Sequence, residues 1–244
     1  ISLQIKILAY LQHKIKKYFI KFAGSPTGQY NGTPEDAIVR LKICLPVYKD
    51  LVHPNLIHFI SSEEIGGGFA AIFEWVDAEY MGRMYPLSRQ KFMKMSEETK
   101  MQVFEDIMGF HSHVAKCGYV AIDFYDGSIM YDFINKMTVI CDIDFYAKRP
   151  YINNMGRMWG SSRFMSPEEL TLGTEIDEAT NVYAMGAMAF ALFSDYDRSP
   201  EAWPLNAALY GVVKKAVSNE RSQRQQSINQ LMEEWRTVWQ SFLD

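Results

Sequence analysis

Two stretches of the chain place carboxylates among residues that otherwise favour strands: Gly118 to Phe133, GYVAIDFYDGSIMYDF, and Met137 to Lys148, MTVICDIDFYAK. Asp123, Asp126, Asp132, Asp142 and Asp144 sit there beside β-branched and aromatic neighbours. An aspartate at the end of a strand commonly starts a turn, because its carboxylate accepts backbone N–H groups and tolerates left-handed geometry. Carboxylates that converge from two loops can instead hold a metal ion and position a nucleophile. Residue type alone leaves both readings open, so the elements that carry these loops have to decide.

The chain has 244 residues, enough for one larger domain or for two small lobes that share a cleft, with a core that needs no staples. Cys44, Cys117 and Cys141 are an odd number without C-x-x-C spacing and lie near apolar residues, which points to reduced, buried thiols and a cytoplasmic protein. A net charge of -4 offers no sequence-wide attraction to nucleic acid or to an anionic membrane. The one basic run, KIKKYFIK from Lys14 to Lys21, suits a strand with a solvated face. No apolar stretch approaches the roughly 20 residues that span a bilayer.

Residues 1 to 23 read as a hairpin turning around Gln12 to Lys14, and GSPTGQYNGTPED breaks the pattern. Thr33 followed by Pro34, Glu35 and Asp36 is a helix start, and Pro46 should end or kink that helix near Leu45. NLIHFISSEE and FAAIFEWV read as strands joined through Gly66 to Gly68. Beyond Trp75 helices dominate: ETKMQVFEDIMGFHSHVAK with Gly118 as its stop, the apolar DEATNVYAMGAMAFALF, and the amphipathic SINQLMEEWRTVWQSFL, where Trp235 and Trp239 should dock the helix. His111 and His113, two apart on a helix, face different ways and read as core or surface residues. The expected architecture is α+β, with a small β-rich lobe over residues 1–76 and a larger helical lobe over residues 77–244.

From about Tyr18 to Trp239 this order of segments resembles the protein-kinase-like phosphotransferases. YFIK resembles the strand whose lysine pairs with ATP, which implies Lys21 in that role. HPNLI, His53 to Ile57, resembles the turn after the regulatory helix, and IFEWVD resembles the strand entering the hinge, with Phe73 as gatekeeper and Glu74, Trp75 and Val76 offering backbone to adenine. AIDFYDGSIM resembles the catalytic loop, which implies Asp123 as the catalytic aspartate and Ser128 where a metal-binding asparagine usually stands. In ICDID, Asp142 takes the metal-binding position of Asp-Phe-Gly, and Asp144 replaces its glycine. Ser166-Pro167-Glu168 resembles Ala-Pro-Glu, Asn181 stands where aspartate is usual in the following buried helix, and Arg224 is the expected partner of Glu168.

The resemblance implies a bilobal protein-kinase-like fold and an ATP- and Mg2+-dependent phosphotransferase acting on serine or threonine hydroxyls of a protein substrate. In that chemistry Mg2+ neutralises clustered phosphate oxygens while a carboxylate orients the acceptor. Several positions depart from the pattern. Residues 1 to 23 contain no glycine, so the phosphate-covering loop either precedes Ile1 or belongs to a reduced small lobe. Cys44 occupies the place of the glutamate that pairs with the lysine, and Glu35 is the nearest alternative. Ala121 and Ile122 replace the His-Arg before the catalytic aspartate, and Tyr125 replaces the lysine after it. These departures imply a second reading, a pseudokinase that binds nucleotide or partners. The Asp142-Ile143-Asp144 pair implies a third, a small-molecule kinase, in which Asp142 and Asp144 point the same way from an extended segment.

Overall fold

Strand β1, Leu3–Leu11, pairs antiparallel with β2, Lys14–Ala23, in an unbroken register from Leu3 opposite Phe22 to Leu11 opposite Lys14. The computed structural model describes residues 3–11, 14–26 and 32–241. The expected turn residues Gln12 and His13, and Thr27 to Asn31 of the Gly/Pro-rich break, lie outside the described residues. Helix α1, Pro34–Asp50, follows, then β3, Phe59–Ile65, and β4, Gly68–Glu74, giving a sheet in the order β1-β2-β4-β3. Gly66 and Gly67 turn between β3 and β4 at φ of 58° and 76°, a conformation that costs a residue with a Cβ and matches the twist of a tight hairpin.

Thr33 caps α1 by accepting the N–H of Asp36, while the Asp36 carboxylate accepts the N–H of Thr33. Leu41, Cys44, Leu45 and Tyr48 fall on one face of the helix and are buried with β4 residues Ala71 and Phe73. Contrary to expectation, Pro46 does not end α1, which runs on to Asp50. A proline inside a helix costs about 3 kcal/mol. Beyond it Val47, Tyr48 and Leu51 are buried, each contributing about 1.5–3 kcal/mol, so packing of the last turn outweighs the missing hydrogen bond. Strand β3 also begins later than expected, at Phe59, because Pro54 and Asn55 form a turn closed by the Leu56 N–H donating to the His53 carbonyl.

The chain divides into two compact units, Ile1–Asp77 and Ala78–Asp244, and is mixed α+β. The second unit opens with β5, Glu79–Tyr80, α2, Pro86–Met93, and α3, Glu97–Lys116. Three small sheets of short strands follow. Strand β7, Ile129–Asp132, lies between β5 and β8, Met137–Ile140; β6, Tyr119–Val120, pairs with β9, Ala147–Lys148; and β10, Tyr151–Ile152, pairs with β11, Glu175–Ile176. Helix α4, Glu178–Ser194, is buried all round after its first residue, as its apolar sequence predicts. Helices α5, Ala207–Ala216, and α6, Ile228–Gln240, pack beside it. Trp235 is fully buried with its ring 5.0 Å from Phe104 and 5.9 Å from Phe193, whereas Trp239 is only half-buried.

The expected partner of Arg224 is the one it takes: its guanidinium donates to both Glu168 oxygens at 2.6 and 3.0 Å, with the arginine side chain wholly buried. This fork ties the end of the 145–168 segment to the chain before α6. Among the described residues no helix is long and apolar enough to cross a membrane.

Replacing Pro46 with alanine restores an N–H to the interior of α1 and should stabilise the first unit by about 2 kcal/mol, less the entropy regained by the unfolded chain. A rise in the urea midpoint checks this. An unchanged or lower midpoint would mean that the proline ring itself contributes packing at that turn.

Candidate functional site

The hairpin β7–β8 brings the two aspartate-bearing stretches together. Ile129 pairs with Ile140, and the contact continues past the strands: the Cys141 N–H donates to the Ser128 carbonyl at 2.9 Å, and the Ser128 N–H donates to the Tyr125 carbonyl at 2.9 Å. The loop before β7 and the segment after β8 therefore leave the hairpin at the same end. Asp123 and Asp142 both adopt left-handed backbone, at φ of 59° and 57°. For a residue with a Cβ this costs about 1–2 kcal/mol, and aspartate is among the few types that tolerate it.

Neighbouring residues hold that geometry. Asn181 of α4 clamps Ala121, accepting its N–H on Oδ1 and donating Nδ2 to its carbonyl, both at 2.8 Å. An aspartate at this position could make only the accepting half, which gives the asparagine a physical reason. Ile122 is buried in a cluster with Val120, Met158, Met165 and Ile176, and Ile143 is fully buried on the other side of Asp142. Because Asp142 is left-handed, the Asp142-Ile143-Asp144 segment is not the extended strand the sequence suggested. Burial nevertheless alternates: Asp142 is exposed, Ile143 buried and Asp144 half-buried, so both carboxylates lie on the outer side.

The electrostatics follow from this crowding. Burial, reinforced by the charges of Asp142 and Asp144, lifts the Asp123 carboxyl to about 6. Burial also raises the Tyr125 hydroxyl to about 12, with Asp123 and Asp142 adding to it, so this phenol is a neutral donor at physiological pH. Gly160, at φ 144°, leaves room beside Asp123: a Cβ there would stand 3.2 Å from Met165 and 3.8 Å from the Asp123 Oδ1. The Ser128 hydroxyl is buried with no hydrogen-bond partner. Below these groups Tyr146 is buried, its hydroxyl 2.8 Å from Nε2 of the buried His111, which gives that histidine the core role its spacing suggested.

Among the described residues no three His, Cys, Asp or Glu side chains form a metal cage by themselves. A magnesium ion does not require one, since it keeps several waters and takes one or two carboxylates together with substrate phosphates. Asp142, Asp144 and the unpartnered Ser128 hydroxyl are hard oxygen donors at the same end of the hairpin and fit that need. The other two aspartates have other partners. Asp132 accepts the N–H groups of Ile134 and Asn135, which is turn chemistry, and those bonds hold its carboxyl below the usual range. Asp126 is buried against arginines and Tyr196.

The remaining candidates lie in the first unit. Lys21 is buried and donates to the Tyr48 hydroxyl at 3.2 Å. Tyr48 stands one helical turn after Cys44, whose thiol donates to the Leu41 carbonyl, while Glu35 is exposed in the first turn of α1. The Tyr48 phenol is thus one partner of Lys21, offered by the helix on which the resemblance implies a glutamate. Phe73 is fully buried among Phe19, Tyr48 and Phe59, with ring centroids 5.9, 4.9 and 5.6 Å away. The Glu74 N–H donates to the His58 carbonyl at 2.9 Å, the Trp75 indole donates to Asp77 at 2.7 Å, and Val76 is half-buried. Sequence reading missed Tyr48, Asn181 as a clamp and Gly160. Only helical spacing from Cys44 could have pointed to Tyr48.

No protein-family model matches the chain, and a comparison with curated proteins finds no match.

The raised Asp123 carboxyl makes a stability prediction. Its folded pKa near 6 lies above the reference 3.8, so ionising it opposes folding above about pH 6 and has no effect below both values. Asp123→Asn, which keeps the left-handed tolerance, should stabilise the protein at pH 8 by about 1–2 kcal/mol after allowance for solvent screening. That gain should vanish near pH 4. Thermal melts at the two pH values check it, and an equal effect at both would remove the electrostatic explanation.

Proposed function

We propose that the chain is an ATP- and Mg2+-dependent phosphotransferase whose two units are the lobes of a protein-kinase-like fold, transferring the γ-phosphoryl group to a protein hydroxyl. The observation that carries this reading is the end of the β7–β8 hairpin. There two left-handed aspartates, Asp123 and Asp142, are held as electrostatic neighbours, with Asp144 and a buried, unpartnered Ser128 hydroxyl beside them.

In this reading Asp123 orients the acceptor hydroxyl and takes its proton. The acceptor oxygen forms a bond to the γ-phosphorus, the bond from that phosphorus to the β–γ bridging oxygen breaks, and ADP leaves with the electron pair. A carboxyl titrating near 6 is well matched to accept a proton at neutral pH. When bound, Mg2+ neutralises phosphate charge, and Asp142, Asp144 and Ser128 would hold it. The resemblance assigns Lys21, bonded to Tyr48, to the α- and β-phosphates, and the backbone from Glu74 to Val76 beside Phe73 to adenine. Tyr125, kept neutral by its surroundings, donates a hydrogen bond where a lysine would supply charge. A protein acceptor is supported by the segment from Phe145 to Phe164, which is anchored through the buried Tyr146, Met158 and Phe164 and leaves Met155 and Trp159 exposed.

One observation favours a second reading, a nucleotide- or partner-binding module without turnover. The Lys21 ammonium is already engaged by the Tyr48 hydroxyl, a side chain of its own unit.

Calorimetry with ATP and Mg2+ separates the two readings, followed by a radiolabelled transfer assay on the same samples. Wild type should bind ATP in a Mg2+-dependent manner, Asp142→Ala should lose that dependence, and Asp123→Asn should keep binding while transfer falls by about 10²–10⁴-fold. Transfer should also decline as pH falls through about 6, where Asp123 gains its proton. Binding without label on any protein favours the module, and a folded chain that binds no ATP sinks both nucleotide readings.

A further inference from the structure

Arginine side chains gather around one tyrosine ring whose hydroxyl meets Asp126, three residues after Asp123. Tyr196, left-handed at φ 74° just after α4, has the guanidinium carbons of Arg89, Arg163 and Arg83 at 4.3, 5.0 and 5.4 Å from its ring centroid. Its hydroxyl donates to Asp126, the buried carboxylate three residues after Asp123. Asp126 aligns the arginines in different ways. It accepts the backbone N–H of Arg83 at 3.2 Å and lies 3.7 Å from the Arg163 guanidinium and 3.9 Å from that of Arg89. The Arg163 carbonyl is itself held by Arg198 at 2.7 Å.

The charges in this cluster do not balance. Arg89 is buried and fully engaged, donating to Asp195, to the Met81 carbonyl and to the Ala191 carbonyl. Asp126 and Asp195 oppose three guanidiniums, so one positive charge is left over. Among the described residues the Arg83 guanidinium has no carboxylate partner, and Arg163 stands beyond hydrogen-bond distance from Asp126. Both are exposed. They are also close to the candidate chemistry: Arg163 follows by three residues the Gly160 that leaves room beside Asp123, a backbone span of at most roughly 10 Å.

We infer that Arg83 and Arg163, held against the Tyr196 ring, form an anion-recognition subsite that selects an acceptor bearing a phosphate or carboxylate group near its reacting hydroxyl. Guanidinium planes restrained on an aromatic face lose less freedom on binding than solvated side chains, and they match oxyanions with paired donors. The position of the subsite beside an acceptor rests on the phosphotransferase reading. Its ability to bind an anion does not.

Two arms test it on the full chain. In the first, calorimetry uses inorganic phosphate and, separately, glutarate as probes, without nucleotide or metal. Wild type should bind at least one of them, phosphate if the site prefers a phosphate group and glutarate if a carboxylate. The Arg83→Gln/Arg163→Gln double variant should bind about tenfold more weakly or worse, as expected when paired charge-assisted bonds are lost. Arg83→Gln alone, which breaks no ion pair, should weaken binding without changing the thermal melt. Equal binding by wild type and the double variant overturns the subsite. In the second arm, serine peptides flanked by glutamate, phosphoserine or lysine are compared as acceptors. A preference for the anionic peptides that disappears in the double variant supports the assignment, and transfer indifferent to flanking charge overturns it as an acceptor subsite. Failure of transfer to every peptide, with probe binding lost in the double variant, sinks the kinase reading and leaves the anion site standing.

Discussion

Repulsion between carboxylates confined at one end of a short hairpin is the constraint around which the second unit is organised. Burial, with the charges of Asp142 and Asp144 beside it, raises the cost of ionising Asp123, and in water the three groups would separate. The pairing of Ile129 with Ile140, extended by the Cys141 to Ser128 hydrogen bond, prevents that separation. The left-handed backbone at Asp123 and Asp142 is a further cost. Local conformations of this kind persist only where the surroundings over-determine them, and here the surroundings are the Asn181 clamp, the Ile122 cluster and the buried Ile143.

The same unit handles its other buried charges by pairing them. Glu168 and Arg224 form a two-bonded fork, and Arg89 is bound by Asp195 and two carbonyls. Removing one member of such a pair strands the other in a low-dielectric setting, so these contacts fix geometry more than they add net stability. Against that background the exposed guanidiniums of Arg83 and Arg163 are the exception. The first unit solves a related problem differently, burying Lys21 against a phenol and packing that phenol against Phe73.

Local chemistry made much of the fold legible. The Thr33 cap, the Gly66-Gly67 turn, the apolar α4 and the amphipathic α6 all follow from signals within a few residues, and the structure places them as those signals indicate. Pro46 does not end α1 because its local penalty is smaller than the burial of Val47, Tyr48 and Leu51, which no local rule sees. Asp132 and Asp126 look alike in the sequence, yet one is a turn residue bonded to its own neighbours and the other sits among arginines drawn from α2 and from chain beyond residue 160.

The sequence by itself determined the first hairpin, the strands around Gly66 to Gly68, the helices α1, α3, α4 and α6, and which residues carry charge at the ends of strands, because helix caps, hairpin turns and apolar periodicity act over short range. It also marked Glu168 for Arg224, through a resemblance that spans most of the chain. Only the tertiary structure decided that Lys21 meets Tyr48, that Asn181 grips Ala121, that the Ser128 hydroxyl is buried without a partner, and that Arg83 and Arg163 share one aromatic ring. Each of these depends on distance between residues far apart in the chain, and that distance is set by how strands pair and helices pack.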